Sequence, residues 1–182
     1  MQKHGPWQIV QSHQIFKDAW LEVRQDDVIR PDGAPGTHDV VFLKPGVSVL
    51  AVDDENRVYL TDEFHYGVGR NTIEVVSGGR EPDETPFAAA RRELEEELGI
   101  VAEDWIELGS FDPFTTMICA PAVMFLARRL QFGESRPEGT ENIRCVTLAF
   151  DEALAMVMDG RITHGPSCVV ILKAARLLER PE

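Results

Sequence analysis

Positive charge is scarce in this chain: 18 Lys and Arg stand against 31 Asp and Glu over 182 residues, a formal net charge of −13. That deficit argues against an electrostatic grip on nucleic acid or on an anionic membrane, and a bound phosphate compound would need a cation to offset the repulsion. Cysteine is scarce as well. The three, Cys119, Cys145 and Cys168, are widely spaced and form no CxxC pair, so a disulfide framework is excluded and small buried residues in a reducing compartment are expected. Long apolar runs are missing too. Val47–Val52 has the length of a strand, and the opening MQKHGPW lacks the apolar stretch of a leader, so the expectation is a soluble cytoplasmic protein. There is no internal repeat and no low-complexity segment.

What is present is 43% hydrophobic residues, enough for a proper core in one domain or in one domain plus a small extra element. The first 65 residues alternate as strands do, over 8–16, 19–30, 38–43, 46–53 and 57–64. Turn signals at Pro31-Asp32-Gly33, Pro35-Gly36, Pro45-Gly46 and Asp53-Asp54-Glu55-Asn56 separate several of them. At Thr85-Pro86 the period changes: Thr suits a helix cap, Pro suits the first helical position, and Phe87, Ala90, Leu94 and Leu98 recur along one face until Gly99. Strands are then expected over 105–111, 122–129 and 143–150, followed by helices over 151–158 and 167–178. The fold class is mixed α/β (α+β), and a β element over residues 1–44 precedes a main body over 45–182.

The stretch from Gly78 to Ile100, GGREPDETPFAAARRELEEELGI, carries the chemistry. Glu93 and Glu97 are four residues apart and stand on one helix face, with Glu96 beside them. Converging carboxylates are the oxygen ligands that Mg²⁺ or Mn²⁺ takes, leaving positions for water and a substrate phosphate. Arg92, four residues before Glu96, is placed to orient it. Glycine at 78 permits a backbone conformation that other residues resist and lets the Ser77 carbonyl approach an ion. A glutamate run by itself reads as a solvated face, but the distant glycine and Glu84 at fixed offsets go beyond such a run.

At Gly78, Glu84, Arg92, Glu93, Leu94, Glu96, Glu97, Gly99 and Ile100 the chain resembles the Nudix hydrolases, whose signature is G, five residues, E, seven residues, then R-E-apolar-x-E-E-x-G-apolar. Every specified place is filled. The resemblance implies the Nudix fold, a mixed β-sheet sandwiched between helices, and hydrolysis of a nucleoside diphosphate linked to another group with Mg²⁺ or Mn²⁺. It makes Glu93 and Glu97 principal metal ligands, Glu96 a further ligand or water activator, and Glu84 and Arg92 supports for the helix.

The layout further resembles the ADP-ribose and nucleoside-diphosphate-sugar pyrophosphatase branch, whose N-terminal β element exchanges between subunits, so a homodimer is expected. Pro113 stands where that branch has a proline, in the different context Asp112-Pro113-Phe114-Thr115. Glu141, with Glu138 nearby, matches a loop acid that serves the metal or the catalytic base. Arg70 and Glu74 fall where the branch contacts phosphate and base. Arg70 on its own reads equally as a turn residue, and Trp20 either stacks a base or packs a core. His65 and His164 have no metal-spaced partner and receive no role. A dinucleoside polyphosphate, NADH, CoA or a damaged nucleoside triphosphate is an alternative substrate, and a non-catalytic nucleotide sensor is an alternative function.

Overall fold

A computed structural model of the chain describes residues 1–136 and 142–178. Glu138 and Glu141 lie outside the described residues. The backbone divides into two units, one of residues 1–45 with 112–121, the other of residues 46–111 with 122–182.

The first unit holds β1 (Gln2–His4), β2 (Trp7–Lys17), β3 (Leu21–Ile29) and β4 (Pro35–Leu43). They form an antiparallel meander, and a two-residue strand, Ile118–Cys119, joins its edge in parallel to β4. The turn into β4 is tighter than the sequence suggests. Gly33 takes a positive φ of 85° and Asp32 accepts the Ala34 N–H at 3.0 Å, so Pro35-Gly36, read above as a turn, already belongs to the strand, with proline at its first position where no ladder donor is lost.

The second unit is built on β5 (Gly46–Val52), β6 (Arg57–His65), β7 (Arg70–Glu74), β8 (Val76–Gly79) and helix α1 (Pro86–Leu98), continuing through β9 (Ile100–Phe111). With Ile118–Cys119 counted as β10, it resumes at β11 (Ala122–Phe132) and β12 (Arg144–Ala149) and ends in α2 (Phe150–Met158) and α3 (Gly165–Leu178). Its sheet runs β12-β6-β5-β11-β9, with β7 paired to β6 and β8 to β5. Only β5 and β11 pair in parallel among these.

Period-two alternation decides which helix each strand residue meets. Along β5, Val47, Val49 and Ala51 pack with Ala89, Ala90, Leu94 and Leu98 of α1, while Leu50 and Val52 pack with Phe150, Ala153 and Met156 of α2 and Val170, Ile171 and Ala174 of α3. Along β11, Phe125 and Ala127 take the first side and Met124 and Leu126 the second. A mixed sheet with helices on both faces results, as the fold class anticipated.

Differences from the expected elements have local reasons. Phe87 is 43% exposed, its ring meeting Trp105 edge-on, and Ala89 takes its place on the buried face of α1. Residues 100–104 belong to β9 although Glu103 and Asp104 are poor strand formers; they lie on an edge strand paired only with β11. Phe150, expected to end a strand, opens α2 with its side chain buried. α3 begins two residues early because Pro166 is tolerated in a first turn. Among the cysteines the expectation of burial fails: Cys119 and Cys145 are exposed and Cys168 is half-buried, all three free. No helix among the described residues is long and apolar enough to cross a membrane.

Candidate active site

The site grows from the two ends of α1. Thr85 caps the helix by accepting the Ala88 N–H at 3.1 Å, and Pro86 occupies the first turn. At the other end Gly99 adopts a φ of 64° and donates to Glu95 O at 2.9 Å. Gly99 has a second constraint. A Cβ there would fall 2.6 Å from the Gly133 carbonyl, because the segment after β11 folds onto the helix end, Gly133 donating to Gly99 O and Arg136 to Glu96 O at 2.7 Å each.

Gly78 is required for space and not for its backbone angles. It is absent from the residues with positive φ, which corrects the conformational argument made above. A Cβ at position 78 would lie 2.1 Å from the Glu93 carboxylate. Any side chain there displaces Glu93. The neighbouring Ser77 is fixed by register opposite Ser48, with their Oγ atoms 3.0 Å apart, and donates to Val75 O at 3.1 Å.

Arg92 is the hub. Its Nε and Nη2 donate to the two oxygens of Glu84, each at 3.0 Å, while Nη1 reaches Glu93 at 2.9 Å and Glu96 at 3.0 Å, and Nη2 also donates to Gly79 O at 3.1 Å. The two-pronged contact thus goes to Glu84, and Glu96 receives a single N–H. Glu84 is held in turn by the Glu81 N–H at 3.0 Å, and its carbonyl takes two donors from Arg80. The Arg92 guanidinium holds the Glu84 carboxyl below the usual carboxylate range, and donating to Glu84 raises Arg92 in return. Both stay charged.

On the same helix Glu97 is buried, 8% exposed, and the Glu93 side chain is 12% exposed, whereas that of Glu96 is 40% exposed. Among the described residues no three His, Cys, Asp or Glu side chains are arranged to hold an ion together; Glu93 and Glu96 are turned to Arg92. The donor set nonetheless suits a hard divalent cation, being oxygen alone, with Glu93 set against a glycine that leaves room for it.

The remaining sequence candidates fall in two places. In the first unit Trp20 is 68% exposed with the Lys44 ammonium 5.5 Å from its ring, so the reading of Trp20 as core is set aside. Pro113 lies in that unit's 112–121 segment. In the second unit Arg70 donates to Thr163 Oγ1 at 2.8 Å, and the Glu74 side chain is only 13% exposed. His65 Nε2 stands 3.2 Å from one oxygen of Glu74 and His164 Nδ1 2.9 Å from the other. Sequence reasoning gave those histidines nothing to do, and with partners 9 and 90 residues away no spacing signal exists to find them. Arg80, by contrast, was within reach as a cation inside the motif.

The NUDIX domain model matches residues 42–161, so the chain belongs to the Nudix family and is a hydrolase. Residues 7–41 match the nucleoside diphosphate sugar hydrolase N-terminal domain. The chain is similar to an ADP-ribose pyrophosphatase of Bacillus subtilis, 29% identical over 152 residues and 81% of each protein. It is also similar to a methanol dehydrogenase activator of Bacillus methanolicus, 26% identical over 164 residues and 89% of each. The solved structure of an ADP compounds hydrolase shares the fold with a TM-score of 0.83 at 16% identity, covering 98% of this chain and 97% of that one. Nudix hydrolases generally use divalent metals.

Proposed function

We propose that this chain hydrolyses the diphosphate of a nucleoside diphosphate sugar such as ADP-ribose, with Mg²⁺ or Mn²⁺, giving a nucleoside monophosphate and a sugar phosphate. The observation that carries the reading is the Glu93 carboxylate seated against Gly78 while Glu84 engages Arg92 from the other side. That arrangement supports an oxygen-ligand face on α1. The match of residues 7–41 and the Bacillus subtilis relative support the choice of a sugar nucleotide.

In this reading Glu93 and Glu97 are the principal metal ligands, with Glu96, the Ser77 carbonyl and Glu141 completing the set. When bound, the metal offsets the diphosphate charge and lowers the pKa of a coordinated water. One carboxylate of Glu96, Glu138 or Glu141 accepts the proton of the attacking water, whose oxygen bonds to phosphorus as the bridging P–O bond breaks. Arg92 keeps Glu93 and Glu96 oriented. Arg70 contributes positive charge toward phosphate, and Trp20 and Pro113 belong to the part that recognises the nucleoside. The 1–44 element acts in dimerisation and 45–182 in catalysis, which agrees with the exposed Val10, Ile15 and Phe16 of β2. The three free cysteines agree with a cytoplasmic location.

The test is release of nucleoside monophosphate from ADP-ribose, GDP-mannose, UDP-glucose and a dinucleoside polyphosphate, with Mg²⁺, with Mn²⁺ and with chelator. Metal-dependent cleavage of a sugar nucleotide is expected. Preference for the polyphosphate moves the chain to another Nudix substrate, and turnover of none leaves a nucleotide sensor.

A further inference from the structure

The strand that delivers Gly78 to the catalytic helix is held at its start by a polar clamp. β7 and β8 are consecutive, broken only at Val75, whose N–H donates to Ser167 Oγ at 2.9 Å. Ser167 is fully buried in the first turn of α3. His164, one residue before that helix, places Nδ1 2.8 Å from Ser167 Oγ and 2.9 Å from Glu74. One residue earlier, Thr163 takes the hydrogen bond from Arg70. Three successive features of the β7–β8 run, at positions 70, 74 and 75, are therefore gripped by residues 163, 164 and 167.

Glu74 is the centre of this grip. Thr72 Oγ1 donates to one of its oxygens at 2.5 Å, His65 stands beside the same oxygen, and His164 takes the other. Burial pushes the Glu74 carboxyl up, but the hydrogen bonds from His164 and Thr72 outweigh it and hold the group below its ordinary range. An ionised carboxylate only accepts, so the His164 Nδ1 that faces it carries a proton whether or not the ring is charged. Both oxygens of Glu74 are thus engaged within the protein.

Downstream of the clamp by three and four residues come Ser77 and Gly78. The fit of Gly78 against Glu93 has no slack, since the space is smaller than one methyl group. We propose that His164 is a positioning residue: by tethering Glu74, together with Ser167 on Val75 N–H, it holds β8 where Gly78 meets the Glu93 carboxylate of α1. Its consequence for turnover rests on the hydrolase site proposed above. The clamp itself is a statement about β8 alone.

The test compares His164→Ala with His164→Asn, whose amide N–H falls near the position of the native Nδ1, in the full-length protein. Amide hydrogen exchange of residues 76–79 is expected to rise about tenfold in H164A and to return to within twofold of wild type in H164N. Exchange in β11 should stay unchanged in both. With ADP-ribose and Mg²⁺, kcat should fall about tenfold in H164A at nearly constant KM and recover in H164N. Unchanged exchange at 76–79, or an equal rise throughout the sheet, overturns the proposal. A rise in KM with kcat preserved overturns it too, because it would put His164 on the substrate. If H164A does not fold, His164→Gln, which sets its N–H one bond further out, takes its place with the same readouts. Wild-type protein that cleaves no substrate, with the local exchange response still seen in H164A, would sink the hydrolase reading and leave the clamp standing.

Discussion

The two units spend their apolar residues differently. In the second, both faces of the sheet are covered, and side chains such as Leu50, Leu60, Leu94 and Leu126 are fully buried. In the first, Val28 is the one buried apolar residue, Asp26 is buried beside it, and Val10, Ile15, Phe16, Trp20, Leu43, Phe114 and Met117 remain exposed. A sheet with so little core of its own gains stability mainly from whatever covers it, whereas the α1–sheet–α2/α3 sandwich carries its own. The contrast suits the division of labour proposed here, in which the well-packed unit holds the carboxylates and the unit with the exposed apolar side chains meets the nucleoside and a second subunit.

Substitutions in each unit sharpen that contrast. Leu94→Ala empties a fully buried position between α1 and β5 and is expected to cost about 3 kcal/mol in chemical denaturation. Gly78→Ala forces a methyl into the Glu93 carboxylate. It should cost about 2 kcal/mol by strain and lower turnover more than its effect on folding explains.

Asp53 tests the second unit by pH. Burial pushes its carboxyl up, but donors from Arg57 N and Nε and from the Tyr59 hydroxyl bring it below the ordinary value. A depressed carboxyl stabilises fully above its unfolded pKa of about 4 and loses that contribution as pH falls through the lower folded value. Asp53→Asn should therefore lower the Tm at pH 7, by the equivalent of about 1.5 kcal/mol, and flatten its fall below pH 4. In the first unit, Ile15→Ser should change folding stability by less than about 0.5 kcal/mol while shifting a dimer toward monomer in analytical ultracentrifugation. An effect as large as that of Leu94→Ala, without a change in mass, would erase the distinction between the units.

The parts legible in the sequence are those whose causes lie within one turn or one motif. The bounds of α1 were readable because its cap Thr85, its Pro86 and its terminating Gly99 are all local, while Phe87 of the expected apolar face is exposed. β7 and β8 were not readable, being four or five residues long and defined by pairing to β6 and β5. The steric need for Gly78 depends on a side chain 15 positions away, and sequence reasoning attributed it to backbone freedom. The Glu74–His164 contact spans 90 positions and leaves no periodic trace.

The central claim is that the carboxylate face of α1 performs metal-dependent hydrolysis. Glu97→Gln preserves the shape of a buried side chain and removes its charge, so kcat for ADP-ribose with saturating Mg²⁺ should fall by about 10²–10³ while the circular dichroism spectrum and Tm stay near those of the wild type. Turnover within threefold of wild type in a folded E97Q protein would contradict the account.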